Sequence, residues 1–415
     1  MAFEEKEKDL QENFASLGFD LKSLVRSKKL VIDYVYIERS EIEETGEYDL
    51  EGLFVRLSSA IDSVGAKRVV LDTIEALFSG LSNQSILRAE LRRLFRWLKD
   101  RGVTAIVTGE KGDSLLTKHG LEEYVADCVI CLDHRVIDQI ATRRLKIVKY
   151  RGSRHGTNEF PFLIGESGIS VFPLTSLLLS SASSSGRITS GIKNLDVMLG
   201  EKGYYRGSSI LVSGSPGSGK TSFGAQFVDS ACRGGQRALF FAFEESEGQL
   251  SRNMKNIGMD LKKWTDKGLL KVIANRATLC GLEMHLVMAH NAVREVKPSV
   301  VVIDPITTLV GAGTLDEPKA MMARLLDFLK NEGITVLATD LTTLGDRGEA
   351  TEIGISSLCD TWIRLSMETH DYKRMRRISI IKSRGMRHAY ETKELIITST
   401  GLEIKDITGV REGSK

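Results

Sequence analysis

Residues 208–235 read SSILVSGSPGSGKTSFGAQFVDSACRGG, and this stretch decides the fold class. An apolar run, SILVS, predicts a buried strand. It leads into Gly214-Ser215-Pro216-Gly217-Ser218-Gly219-Lys220-Thr221, which fits G-x-x-x-x-G-K-[ST]. The glycines let the backbone curl so that its N–H groups converge on phosphate oxygens. The helix predicted to follow aims its positive dipole end at the same anion. Lys220 is expected at the β- and γ-phosphates of ATP, and Thr221 on Mg²⁺. Ser222 completes the set of candidate nucleotide contacts. A plain glycine turn between strand and helix is the competing reading, and the correct context on both sides argues against it.

Outward from this loop the chain repeats itself. Phe3-Glu4-Glu5 recurs as Phe243-Glu244-Glu245, and Leu17-Gly18-Phe19-Asp20-Leu21 as Ile257-Gly258-Met259-Asp260-Leu261. Val69-Val70-Leu71-Asp72-Thr73-Ile74 recurs as Val301-Val302-Ile303-Asp304-Pro305-Ile306. Lys149-x-Arg151-Gly152-x-Arg154-His155 recurs as Lys382-x-Arg384-Gly385-x-Arg387-His388. The order is kept, and 77 residues separate Asp72 from Lys149 against 78 from Asp304 to Lys382. Such matched spacing implies two homologous domains. Residues 174–186, LTSLLLSSASSSG, are serine-rich and uncharged, as a flexible linker would be. The expected division is therefore an incomplete first domain over 1–173, a linker over 174–186 and a complete second domain over 187–415.

Each half reads as α/β. KRVVLDTI, VTAIVTG, SSILVSG, PSVVVID and ITVLATD resemble buried parallel strands, with amphipathic helical stretches such as ILRAELRRLFRWLKDRG and PKAMMARLLDFLKNEG between them. Alternation of this kind predicts a mostly parallel sheet with helices on both faces. The second domain begins about 55 residues before its Glu-Glu pair, the first only three residues before its own. The stretch not represented is where a phosphate loop belongs. A truncated or misassigned start is the simplest explanation, and a first domain that has lost nucleotide binding is the alternative.

Other positions acquire roles from the loop. Asp304 ends the apolar run VVVID, where a carboxylate holds the Mg²⁺ shell, although such an Asp also caps helices. Asp72 is its counterpart, with no phosphate loop beside it. Glu244 and Glu245 follow LFFAF, placed to orient or deprotonate an attacking group; an acidic first helical turn is the alternative. Spacing leaves open which is the base, and Glu244 is favoured, with Glu4 and Glu5 as counterparts. Lys382 and Arg384 stand in a basic turn that could neutralise γ-phosphate charge, unless the turn is simply surface. Lys149 and Arg151 repeat them.

Bulk properties add exclusions. The net charge of +2 gives no general argument for nucleic acid, and no apolar run reaches the roughly 18 residues of a membrane span. A charged start, MAFEEKEKDLQ, is unlike a secretory signal, so a cytoplasmic protein is expected. Five scattered cysteines suit a reducing compartment. Cys128 and Cys131 form a C-x-x-C without further zinc ligands, inside a run, DCVICLD, that reads as a buried strand; core thiols are expected.

The doubled halves, the Glu-Glu pairs and the repeated K-x-R-G-x-x-H turns together resemble the KaiC family of circadian-clock ATPases and autokinases, over essentially the whole chain. The resemblance implies tandem RecA-like domains and homo-hexameric rings with ATP at subunit interfaces, so that Lys382 and Arg384 reach a neighbour's γ-phosphate. It also implies serine/threonine autophosphorylation in the second domain. Ser356 and Ser357 stand at the phosphoacceptor positions, the second departing from the family's threonine, and Thr351 at a nearby position implicated in transfer. From residues alone a Ser-Ser pair is loop or cap chemistry. A KaiB-like partner is compatible with the resemblance. A KaiA-like partner is not expected, because only TGVREGSK follows Ile407. A DNA-dependent recombinase-type ATPase and a nucleotide-dependent scaffold are the other classes considered. The first would want basic, aromatic loops, and LVGAGTLDEPK and LTTLGDRGEATE are mixed or acidic.

Overall fold

The structure is a computed structural model that describes residues 1–35, 51–78, 84–112, 116–117, 122–137, 140–165, 168–171, 185–312, 317–342, 354–370 and 372–407. Thr351 and nearly all of the expected linker lie outside these residues. The chain separates into two compact units, one comprising Met1–Asp133 with Arg144–Val171, the other His134–Arg143 with Phe172–Lys415.

In the first unit lie β1 (Arg68–Leu71), β2 (Thr104–Val107), most of β3 (Cys128–Ile137) and of β4 (Ile140–Tyr150), β5 (Glu159–Gly165) and β6 (Gly168–Val171). The second contains β7 (Arg187–Ile188), β8 (Tyr204–Tyr205), β9 (Ser209–Gly214), β10 (Ala238–Ala242), β11 (Leu270–Ala274), β12 (Val300–Asp304), β13 (Thr335–Leu341), β14 (Thr361–His370), β15 (Lys373–Ser383), β16 (Lys393–Thr398) and β17 (Gly401–Lys405). Nine of these form one sheet in the order β11-β10-β12-β13-β9-β14-β15-β16-β17. Pairing is parallel from β11 to β14 and antiparallel from β14 onward.

Alternate residues of the parallel strands serve two helical layers. Phe240, Val302 and Leu337 meet the helix Lys220–Arg233 through Phe223, Phe227 and Val228. Phe241 and Ile303 face Met288 and Leu325, carried by the helices Leu282–Val296 and Glu317–Asn331. Burial on both sides explains why these strands read as unbroken apolar runs. Gly224 lets the first helix approach, since a Cβ there would lie 2.8 Å from Val302 Cγ1.

The first unit repeats this plan, but its strands form two sheets, β1-β2 and β3-β4-β5-β6. Phe3 N–H donates to the Asp72 carbonyl at 2.9 Å, as Phe243 N–H does to Asp304. The helices Glu51–Val64 and Gln84–Asp100 bury Val69 and Leu71. The opposite face differs. The expectation of buried strands fails there: Val70, Ile106, Ile130 and Leu132 are 46–55% exposed. Their counterparts by register, Val302, Leu337, Ile363 and Leu365, are at most 1% exposed. In the second unit that face is covered by the helix Lys220–Arg233, with β9 inserted between β13 and β14. No strand among the described residues occupies that position between β2 and β3. The reading of Cys128 and Cys131 as core thiols is also corrected: β3 is a strand, but Cys128, on the face of Ile130 and Leu132, is exposed, and Cys131, on the other face, is half-buried. Among the described residues no helix is long and apolar enough to cross a membrane.

Candidate active site

The phosphate loop leaves β9, whose six residues are all buried, and enters the helix Lys220–Arg233. Gly217 and Gly219 take φ of +79° and +100°, which residues with a Cβ rarely adopt. Pro216 and Gly217 are exposed at the tip, Ser215, Gly219 and Thr221 are half-buried, and Gly214, Ser218 and Ser222 are buried. Ser218 Oγ is buried without a hydrogen-bond partner among the described residues. Lys220 Nζ donates to the carbonyls of Gly214 at 2.8 Å and Ser215 at 2.9 Å. Burial lowers its pKa, and the carboxylates of Asp304, Glu244 and Asp340 oppose that shift.

Parallel packing delivers those carboxylates. Strands β12, β10 and β13 end beside the loop, at the carboxyl edge of the sheet where open α/β folds bind ligands. Asp304 is only 7% exposed. Burial raises its pKa, while hydrogen bonds from Thr339 and Thr221 work in the other direction. Glu244 is exposed and interacts electrostatically with both Lys220 and Asp304. Glu245 is turned elsewhere: its Oε1 accepts from Asn253 Nδ2 at 3.3 Å. The Thr221 hydroxyl and Asp304 carboxylate make an all-oxygen donor set, suited to a hard divalent cation. No group of three or more His, Cys, Asp or Glu among the described residues forms a self-sufficient metal cage.

Lys382 lies on β15 itself rather than in a turn, and Arg384 follows the strand's end. Lys382 Nζ donates to the Ser356 carbonyl at 2.6 Å, and Arg384 to that of Ser357 at 2.7 Å. Ser356 is half-buried and Ser357 exposed, in one turn. The first unit has the same brace: Lys149 and Arg151 donate to the Tyr124 carbonyl, at 3.4 and 2.9 Å. Its Asp72 is exposed and accepts from Thr108; Glu4 Oε1 accepts from Thr73 at 3.1 Å, and Glu5 is exposed.

Sequence reasoning missed two residues. Arg376 on β15 donates through Nε to the Gly217 carbonyl at 3.1 Å, adding a cation to the loop from within the same chain. The run Lys373, Arg374, Arg376, Arg377 was its only signal. Thr339 was the other, marked by a hydroxyl directly after the apolar run Val336-Leu337-Ala338 of β13.

Comparison with known proteins follows the same lines. A family model described as "ATPase: KaiC" matches residues 1–176 and again 188–409. Circadian clock protein KaiC2 of Synechocystis is 52% identical over 406 residues, covering 97% of this chain and 72% of that protein. Circadian clock oscillator protein KaiC of Acaryochloris marina is 36% identical, covering 98% and 78%. KaiC3 of Synechocystis is 36% identical, covering 100% and 84%.

Proposed function

The chain belongs to the KaiC family of ATPases, and from that premise we propose that its second unit binds ATP with Mg²⁺, hydrolyses it, and transfers the γ-phosphoryl group to Ser356 or Ser357. The observation that carries the reading is the convergence of Lys220, Thr221, Asp304 and Glu244 on one glycine-rich loop. Loop N–H groups and Lys220 bind the phosphates. Thr221 and Asp304 hold Mg²⁺, which when bound neutralises charge on the phosphate oxygens. Glu244 accepts the proton of the attacking hydroxyl, from water or serine, as the new O–P bond forms and the bond to ADP breaks.

The brace from Lys382 and Arg384 bears on how acceptor and nucleotide meet. Both cations grip the carbonyls of the Ser356–Ser357 turn, so serines and cations form one surface element. In a homo-hexameric ring, a γ-phosphate that receives the cations of the adjacent subunit receives its serines as well. Transfer between neighbouring subunits follows, with Lys382 and Arg384 offsetting charge on the group in flight.

Incubation with ATP and Mg²⁺ followed by phosphopeptide mass spectrometry tests this. Phosphate is expected on Ser356 or Ser357, reduced about 100-fold by Glu244→Gln and far less by Glu245→Gln. Turnover without phosphate at either serine rejects the transfer step. Absence of ATP turnover rejects the whole proposal.

A further inference from the structure

Asp304 carries two hydroxyls. Thr221 already has a role in the reading above, as a ligand of the cation. Thr339 has none: it is 0% exposed, one residue beyond the pairing of Ile303 with Ala338, and its Oγ1 donates to Asp304 Oδ1. The first unit repeats the pair. Leu71 is in register with Val107, and in the next position Thr108 Oγ1 donates to Asp72 Oδ1. Packing alone does not call for threonine at such a place. Valine has the same shape, and a buried hydroxyl must be satisfied. The strand end bearing Thr339 is also held. Thr307 Oγ1 donates to Asp340 Oδ1 at 2.7 Å and accepts from Leu341 N–H at 2.7 Å.

We propose that Thr339 is a positioning residue: it fixes one carboxylate oxygen of Asp304 so that the carboxylate is pre-aimed at Thr221 and the divalent cation. The inference rests on the Mg²⁺–ATP reading above and assigns Thr339 no contact with nucleotide. Loss of an orienting partner of this kind typically weakens metal affinity by about 10–100-fold.

Thr339→Val and Thr339→Ser are compared with the parent in two measurements. The first is binding of a fluorescent ATP analogue in EDTA. The second is the affinity of the nucleotide-bound protein for Mn²⁺, read from the electron paramagnetic resonance signal of the free ion. Thr339→Val is expected to bind nucleotide in EDTA within about twofold of the parent yet hold Mn²⁺ at least tenfold more weakly. Thr339→Ser, which keeps the hydroxyl, recovers most of that loss. A parent that responds to Mn²⁺ with a Thr339→Val variant that matches it overturns the positioning role alone. Equal loss in the Val and Ser variants overturns it too, because the hydroxyl would then not matter. A parent whose nucleotide complex takes up no Mn²⁺ overturns the Mg²⁺–ATP reading itself.

Discussion

Gly224 sets how closely the phosphate-loop helix lies on the sheet, and Gly224→Ala measures what that closeness is worth. An added Cβ would stand 2.8 Å from Val302 Cγ1, 3.7 Å from Phe240 Cε2 and 3.8 Å from Leu337 Cδ2. The last two are ordinary contacts; the first is about 1 Å inside the optimal carbon–carbon separation. Replacing glycine by alanine in a helix interior gains about 1 kcal/mol. Overpacking of a filled core costs about 1–3 kcal/mol. The net expectation is a loss of about 1 kcal/mol, or about 2–4 °C in melting temperature for a unit of this size. Lys220 and Thr221 begin the same helix, so its displacement should also raise KM for ATP more than it lowers kcat. Thermal melts of Gly224→Ala, Val302→Ala and the double variant form a cycle, and removing the Val302 methyls should restore the alanine at 224 to net gain. A Gly224→Ala protein that melts at or above the parent temperature, with no coupling to Val302→Ala, would refute the reasoning.

Asp304→Asn should abolish Mg²⁺-dependent turnover yet raise the melting temperature of the nucleotide-free protein at pH 7. Burial lifts the carboxyl above its ordinary value of 3.8, so the fold penalises the ionised form. That penalty exists above the folded-state pKa and vanishes below about pH 4, where the two proteins should melt alike; a lower melting temperature for the variant at pH 7 would contradict the assignment. Transfer between subunits is checked by mixing Glu244→Gln chains with chains carrying both Ser356→Ala and Ser357→Ala. Phosphate should then accumulate on the Glu244→Gln chains, and none there would exclude transfer from a neighbour.

Local structure was legible in the sequence. The loop at 214–221 and Asp304 could be read because each needs only its own segment, a strand followed by glycines or an apolar run ended by a carboxylate. Glu244 could be separated from Glu245 only in three dimensions, where Asn253 occupies the second. Arg376 meets Gly217 across 159 residues, a contact created by the antiparallel turn-back of β15 after β14 has paired with β9. No spacing rule connects such positions. Thr339 likewise finds Asp304 through the register of β12 and β13. The misreading of β1–β3 has a different origin. An apolar run states what a strand would bury, whereas burial itself depends on which neighbours are present. Val70 and Val302 are the same residue in the same motif, at 46% and 0% exposure.

That contrast bears on how the polypeptide behaves as a colloid. Val70, Ile106, Ile130 and Leu132 present oily surface beside strand edges of β2 and β3 that hydrogen-bond to no further strand among the described residues. Stickiness and an open row of backbone donors and acceptors are the two ingredients of edge-to-edge accretion. Its rate rises with concentration and is promoted by sulfate and phosphate, which are excluded from protein surfaces. In the second unit the same kinds of residue spend their hydrophobicity inward, on the helix that carries the phosphate loop. Wherever that face of the first unit stands uncovered, it is the surface most open to such accretion.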